Sequence, residues 1–395
     1  MRGAAVLLAL LAGQDELQKR RDAMGAQLET LRGLKFKEPL RVREGSRRDY
    51  AGFVLESARA VYGQDLSASE KGLKILQLIP SKLRLDIALT AQAGFAPKCY
   101  CTKGELVLID RAAEDEWWLN KMALGLVDQH YAPKVEATYD GQLAWGALRM
   151  GDAELVKHLG RNGGKIPAEH WKKVAQDATD WEKGESRLAS AVVPRLFVRT
   201  GNFSWRRGAA FAVRLWEEGG RERMEKAYGA PPASTEQVLH PDKYLKGEAP
   251  AAIDLAPADE FLGAKGWKPV YRTVLGELGT ALVLESHFTK DELAAASEGW
   301  GGDTFAVYEK EGAPILVLWA TDWDSEPDAV EFQAQALRLC VKLMPAEKDL
   351  MAPVLRKKSA VVFGVNVPKD LQDELLDAVW KAKRRTPAGA STYGE

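Results

Sequence analysis

The sequence predicts an α+β fold in which helix predominates. Three observations carry this. Apolar residues recur every three or four positions through most of the first two thirds of the chain. Strand-like alternation is confined there to one pair of short runs, on either side of Thr102-Lys103-Gly104. The last third instead reads strand, strand, helix, strand, helix, which is a small C-terminal α+β unit.

The elements follow in order. Residues 4–13, AAVLLALLAG, come after a single Arg2 and have the form of a secretory signal peptide, with the small pair Ala12-Gly13 where cleavage is expected. The run is far short of the roughly 20 apolar residues that a transmembrane helix needs, and no other segment is longer. Residues 1–13 are therefore expected to direct export, periplasmic or extracellular. Leu17, Met24, Leu28 and Leu31 make residues 14–33 an amphipathic helix. Ser46-Arg47-Arg48-Asp49 opens a helix to about Tyr62, and Ser67 opens another that ends near Pro80. Residues 81–93 are helical. The runs Gly94–Cys101 and Glu105–Asp110 form a β-hairpin. Helices follow from about Ala113 to Tyr131 and from Val135 to Leu159, stopped by Asn162-Gly163-Gly164.

Residues 167–230 are mostly helical and rich in Trp. Pro231-Pro232 breaks them, and Ser234–His240 is a short helical turn before Pro241. Gly247–Pro257 is an extended connection. Thr273–Ser286 is helical, and Thr289-Lys290-Asp291-Glu292 has capping-box spacing for a helix that Gly299 ends. Asp303–Glu309 and Pro314–Asp322 alternate as a hairpin. Ser325 caps a helix to about Met344, Ser359–Val367 is a strand and Pro368–Arg384 a final helix. Residues 386–395 form a disordered tail. The domain reading is a mostly helical unit over 14–250 and the C-terminal part over 251–385.

Composition narrows the function classes. A 46% hydrophobic and 28% charged chain is globular, and a net charge of −1 lacks the basic excess of a nucleic-acid binder. Three cysteines supply neither a disulfide framework nor a four-thiolate zinc site. Cys99 and Cys101 lie two apart in one strand, so a bridge between them is strained. Cys340 reads as core. Gly299-Trp300-Gly301-Gly302 is followed by a strand rather than the helix N-terminus of a phosphate cradle. Asp322, Asp324, Glu326 and Asp328 lack calcium-loop spacing and read as a charged helix start.

At Gly94–Asp152 the order of parts becomes specific: a hairpin (GFAPKCYCTKGELVLID), a helix containing LVDQHY, then a helix containing LRMGDAEL. Matching stretches flank them, LRGLKFKEPL at 31–40, PPASTEQVLHPDKYL at 231–245, LGELG at 275–279, GWGGDTFAVY at 299–308 and WDSEPDAVEF at 323–332. This order resembles bacterial secreted zinc-metallopeptidase-like proteins of the gluzincin kind, over about residues 30–335. The resemblance implies a zincin-like helical core. It also implies a His-Glu-x-x-His helix followed by a helix with Leu-x-Glu-Gly-Asp-Ala. Two histidines one turn apart grip Zn²⁺, the Glu between them is the general base, and the Glu of the second helix is the third ligand.

Carried over position by position, the first histidine falls on Asn120, the general base on Lys121, the second histidine on Leu124 and the third ligand on Met150. An amide, an ammonium and two apolar groups replace the metal set. A lysine repels Zn²⁺ and cannot take a proton from its water, and a thioether favours softer ions. Trp117, Leu124, Val127 and Tyr131 form an apolar stripe, so the former metal face reads as core. Asp128 or Asp152 is the expected partner of Lys121. His130 is expected to hydrogen-bond structurally rather than to catalyse.

The expectation is therefore a pseudoenzyme without zinc or other cofactor. Its role is binding or scaffolding outside the cytoplasm, with a peptide or protein partner added along the hairpin edge. The alternative is an active hydrolase built around Glu236 and His240, which lie one turn apart.

Overall fold

The structure is a computed structural model that describes residues 2–167, 169, 172–174, 176, 193–288 and 296–385. The expected tail, nearly all of the helix placed at 289–299, and part of the helical stretch 167–230 lie outside the described residues. The fold class is as expected, α+β with helix predominant.

The first helix, α1 (Arg2–Arg32), runs without a break through both the expected leader and the helix after it. Its inner side buries Leu17, Leu28 and Leu31. The chain then forms β1 (Arg41–Glu44), α2 (Arg47–Tyr62), α3 (Leu66–Ile75) and α4 (Leu85–Ala91). The expected cap of α2 is a full capping box, because Ser46 and Asp49 each bond the other's backbone N–H. In α3 the cap is Asp65, whose side chain accepts from Ser67 N, so the helix starts before the serine that announced it.

The hairpin is β2 (Cys99–Thr102) and β3 (Glu105–Leu108), with Thr102 opposite Glu105. Lys103 and Gly104 both have positive φ (47° and 75°), as a two-residue primed turn requires. The sequence did not reveal that β1 joins this hairpin, parallel to β3, in the order β1-β3-β2. Only Val42 of its four residues is buried, too little alternation to read as a strand.

Two long helices follow, α5 (Asp115–His130) and α6 (Tyr139–Arg161). They are antiparallel: Glu116 meets Arg161, Asn120 meets Glu154 and Asp128 meets Arg149. Then come α7 (Arg195–Asn202), a π-turn over Phe203–Arg207, α8 (Gly208–Gly229), α9 (Thr235–Leu239) and α10 (Pro241–Lys246). A kink at Gly219–Gly220 divides α8.

The remainder comprises β4 (Ala252–Asp254), α11 (Ala256–Ala264), β5 (Lys268–Thr273), α12 (Gly276–Glu285), β6 (Trp300–Glu309) and β7 (Leu316–Trp323). These lead to α13 (Glu326–Lys342), β8 (Leu350–Met351), β9 (Val354–Lys357), β10 (Ala360–Val365), β11 (Val367–Pro368), α14 (Gln372–Trp380) and β12 (Lys383–Arg385). Five of the strands make an antiparallel sheet in the order β5-β6-β7-β10-β9. Phe305, Val307, Trp319 and Phe363 point to one face, against Phe332 and Leu339 of α13. Tyr308, Leu316, Leu318 and Val362 point to the other, against Leu262 of α11 and Leu375 and Val379 of α14. With both faces covered, all six residues of β10 are buried.

Three boundaries differ from the expectation. The helix expected from Thr273 begins at Gly276, because 268–273 pairs with β6 as an edge strand. The final helix ends at Trp380, since Lys383–Arg385 turns back to pair with β4. That strand β4 lies inside the stretch expected to be a plain connection.

Candidate functional site

Helices α5 and α6 are each seated on a further element by a close approach that only glycine permits. A Cβ on Gly125 of α5 would lie 2.7 Å from the Cys101 Sγ and 2.9 Å from Leu40, so the helix sits directly on the hairpin. A Cβ on Gly151 of α6 would lie 1.9 Å from the backbone oxygen of Gly208, and one on Gly208 would lie 2.3 Å from the Ala147 oxygen. Helices α6 and α8 therefore cross backbone to backbone at this point.

Beside the crossing, Asp152 accepts from the Tyr228 hydroxyl at 2.7 Å and pairs with Arg32 at 3.1 Å, all three side chains being buried. At the far end of α5, Gln129 accepts from Lys37 N (2.8 Å) and donates to the Glu38 carbonyl (2.8 Å), and His130 Nε2 bonds the Lys35 carbonyl (2.7 Å). His130 thus makes the hydrogen bond within the fold that the sequence leads one to expect. Asp128 pairs with Arg149. Neither Asp128 nor Asp152 is the partner of Lys121, which corrects that expectation: both acids already hold an arginine.

Of the four positions singled out in the sequence, Asn120, Lys121 and Met150 meet between α5 and α6. Asn120 is buried and donates through Nδ2 to Glu154 Oε1 at 2.8 Å. Lys121 and Met150 line one open cleft of about 460 Å³ between α5, α6 and α7, together with Glu154, Trp117, Phe197 and Trp205. Leu124 instead packs against the core. The face expected to be ordinary core is therefore core only in part. Val127 is buried, but the side carrying Trp117 and Lys121 is open to the cleft. Glu154 was not singled out in the sequence. It stands one helical turn beyond Met150, and that spacing was the available signal.

The charges at the cleft floor are uneven. Glu154 is bonded on one oxygen by Asn120 and paired on the other with Lys157. Lys121 is only 9% exposed, and its ammonium lies 5.7 Å over the Trp117 ring. Burial pulls its pKa below the ordinary lysine range, and Glu154 acts in the opposite sense. Zn²⁺ does not fit this donor set. Among the described residues lining the cleft, Lys121 offers an ammonium and Met150 a thioether, and the one carboxylate, Glu154, is already held by Asn120 and Lys157.

The alternative pair, Glu236 and His240, sits on α9. Ser234 caps this short helix by accepting from Gln237 N, and His240 ends it next to Pro241, as expected. The two side chains have separate partners. His240 Nε2 meets Glu277 at 3.0 Å, and this contact raises the His240 pKa against the effect of burial. Glu236 is buried and takes the Lys243 ammonium at 2.7 Å.

Carboxylate oxygens of Glu236, Glu248 and Asp324 lie within 4.8 Å of one another, the spacing of a cation site. Lys243 Nζ stands among them at 2.7, 2.9 and 2.6 Å. Burial works against its charge, but the bonds from Asp324 and Glu236 outweigh burial and raise the lysine pKa. The cluster is a three-acid cradle filled by its own lysine.

A second polar knot lies beneath α9. Asp303 accepts from Leu275 N (3.1 Å), Gly276 N (2.9 Å), Trp300 Nε1 (3.2 Å) and Trp319 Nε1 (2.9 Å). Asp140 accepts from Thr235 N (2.9 Å) and Oγ1 (2.5 Å). Gly276 has φ 76°, and a Cβ there would lie 1.8 Å from Asp140 Oδ1. Burial pushes Asp140 up to about 7 and Asp303 up to about 6, while the hydrogen bonds to each pull the other way. The stretches 231–245, 275–279, 299–308 and 323–332 thus meet in space, through Thr235–Leu278, His240–Glu277, Gly276–Asp303 and Lys243–Asp324.

Among the described residues, no helix is long and apolar enough to cross a membrane. No curated protein and no solved structure matches this chain. A family model described as a domain of unknown function, DUF8575, matches residues 268–362, which hold α13 and the five-stranded sheet up to the middle of β10 but none of the cleft residues on α5, α6 and α7.

Proposed function

We propose that this chain is a metallopeptidase-like protein that has given up zinc chemistry and kept the cleft as a binding site, acting outside the cytoplasm. One observation carries the reading. The helix pair and its glycine and aspartate anchors are intact, while the positions facing the cleft present an ammonium and a thioether where the resembled proteins present a general base and a ligand. The edge of the hairpin supports a peptide as the partner class. Strand β2 is the outermost strand of its sheet, and Pro97, just before it, lines the same cleft as Lys121. The hydrolase alternative loses support from the geometry, since Glu236 and His240 are each taken up by a different neighbour.

The test uses the purified full chain. Metal analysis after dialysis against micromolar Zn²⁺ is expected to give far less than one zinc per chain, and a pool of mixed peptides is expected to remain uncut. Stoichiometric zinc together with chelator-sensitive cleavage would refute the proposal. Cleavage that survives chelation and disappears in Glu236→Gln and His240→Ala would favour the hydrolase.

A further inference from the structure

Lys121 is more than nine-tenths buried, and among the described residues it has neither a hydrogen-bond acceptor nor an ion-pair partner within 4 Å. Its ammonium lies over the face of Trp117, and Glu154 acts on it through space without a hydrogen bond. An ammonium that makes no bond to the described residues depends on the cleft for its solvation. It persists here at the floor of an open cleft, where an incoming group can reach it.

The surroundings define that group. Glu154 does not compete for Lys121, because Asn120 and Lys157 hold both of its oxygens. Counting Lys121, Lys157 and Glu154, the floor carries one net positive charge, which suits a single anionic group. Among the described residues no arginine lines the cleft to fork around a phosphate. The walls above are apolar and aromatic, with Trp117, Phe95, Phe197 and Trp205 around a space of about 460 Å³, which is the size range of a small-molecule site.

We infer that the cleft binds a monocarboxylate with an aromatic or branched apolar body, the carboxylate on the Lys121 ammonium and the body between Trp117, Phe197 and Trp205. This rests on the reading above that no zinc occupies the cleft floor. The same chemistry is offered by a free aryl-alkanoic acid and by the C-terminal carboxylate of a peptide ending in an apolar residue.

Calorimetric titration of the full chain tests the inference, with hydrocinnamate and its primary amide as one pair of probes, and acetyl-dialanyl-phenylalanine and its C-terminal amide as the other. Each acid is expected to bind at least about tenfold more tightly than its amide, the yield of one charge-assisted hydrogen-bonded contact. Lys121→Met is expected to remove that preference, and Lys121→Arg to keep part of it. Lys121→Met puts an apolar side chain in a buried position, and its thermal melt confirms that it folds. Tighter binding of the peptide acid than of hydrocinnamate identifies a peptide end as the source, and the reverse order identifies a free acid.

Equal binding of acid and amide, or an unchanged preference in Lys121→Met, overturns the inference. All titrations are run with and without EDTA. A preference that vanishes with chelator means that the acid binds through a metal, which overturns the zinc-free reading as well. Equal binding in both conditions overturns only the carboxylate assignment.

Discussion

Two glycines in the same helix make opposite predictions. Gly146 and Gly151 both lie within α6, where alanine is favoured over glycine by about 1 kcal/mol. At Gly146 a new Cβ would meet nothing nearer than Ser204 Oγ at 3.7 Å, an ordinary contact. Gly146→Ala is therefore expected to stabilise the protein by up to about 1 kcal/mol. At Gly151 the same methyl would sit 1.9 Å from the Gly208 oxygen and 2.3 Å from its carbonyl carbon. Those atoms are backbone and cannot rotate away, so α8 has to move by more than an ångström. Overpacking of this kind costs about 1–3 kcal/mol even where side chains can yield. With backbone in the way the cost is put at the top of that range or above, about 3 kcal/mol or more, so after the gain in helix propensity we expect Gly151→Ala to lose about 2 kcal/mol or more.

Urea denaturation of the two variants beside the parent reads the difference as midpoints displaced in opposite directions. The cleft supplies a second readout. Met150 and Glu154 flank Gly151, so a displaced α8 is expected to weaken binding of the acid probes as well. Equal midpoints for the two variants would refute the crossing of α6 and α8 described here, and with it the placement of the cleft floor.

Other expectations follow from the buried charges. Asp140 titrates near 7 in the fold but near its ordinary value of 3.8 when unfolded, so the native state holds the extra proton between those values and stability falls as pH rises through that window. Asp140→Asn removes the effect; between pH 5 and 8 the variant should gain on the parent by on the order of 2–3 kcal/mol, and a constant difference in urea midpoints would contradict it. Lys243→Met strips the shared cation from three carboxylates, one of them buried, and is expected to cost about 3–5 kcal/mol. Millimolar Ca²⁺ should raise the melting temperature of that variant and leave the parent unchanged; an equal calcium response in both would show that the lysine is not the cation of the cluster. Lys121→Met should hold stability within about 1 kcal/mol of the parent, because the ammonium faces the open cleft and has no acceptor among the described residues. A larger fall, read from the melting temperature, would mean that Lys121 has a partner in the native state.

The local features of this fold could be read from the sequence, and the remote ones could not. The Thr102–Glu105 turn, the capping box at Ser46, the Ser234 cap and the β6–β7 hairpin each follow from residues within a few positions of one another. Strands β1, β5 and β12 owe their existence to partners far away in the chain, and each is short, charged or at an edge. The same division holds at the site. Lys121 and Met150 were placed on facing helices, and the structure puts both in one cleft. The cleft itself depends on α7 standing across from them. No periodicity in α5 announces a neighbour some 80 positions later, so Trp117 and its stripe looked like buried core.

The knot around Asp140 and Asp303 also bears on how the chain acquires its shape. Tyr139 N bonds Thr273 Oγ1 across 134 positions, and His287 reaches the Leu76 carbonyl across 211. Closures of such length forfeit much chain entropy before any contact rewards them. A growing polypeptide cannot complete them until its sheet-forming third has been synthesised, so the early helices must wait, half-assembled, for strands made long after them.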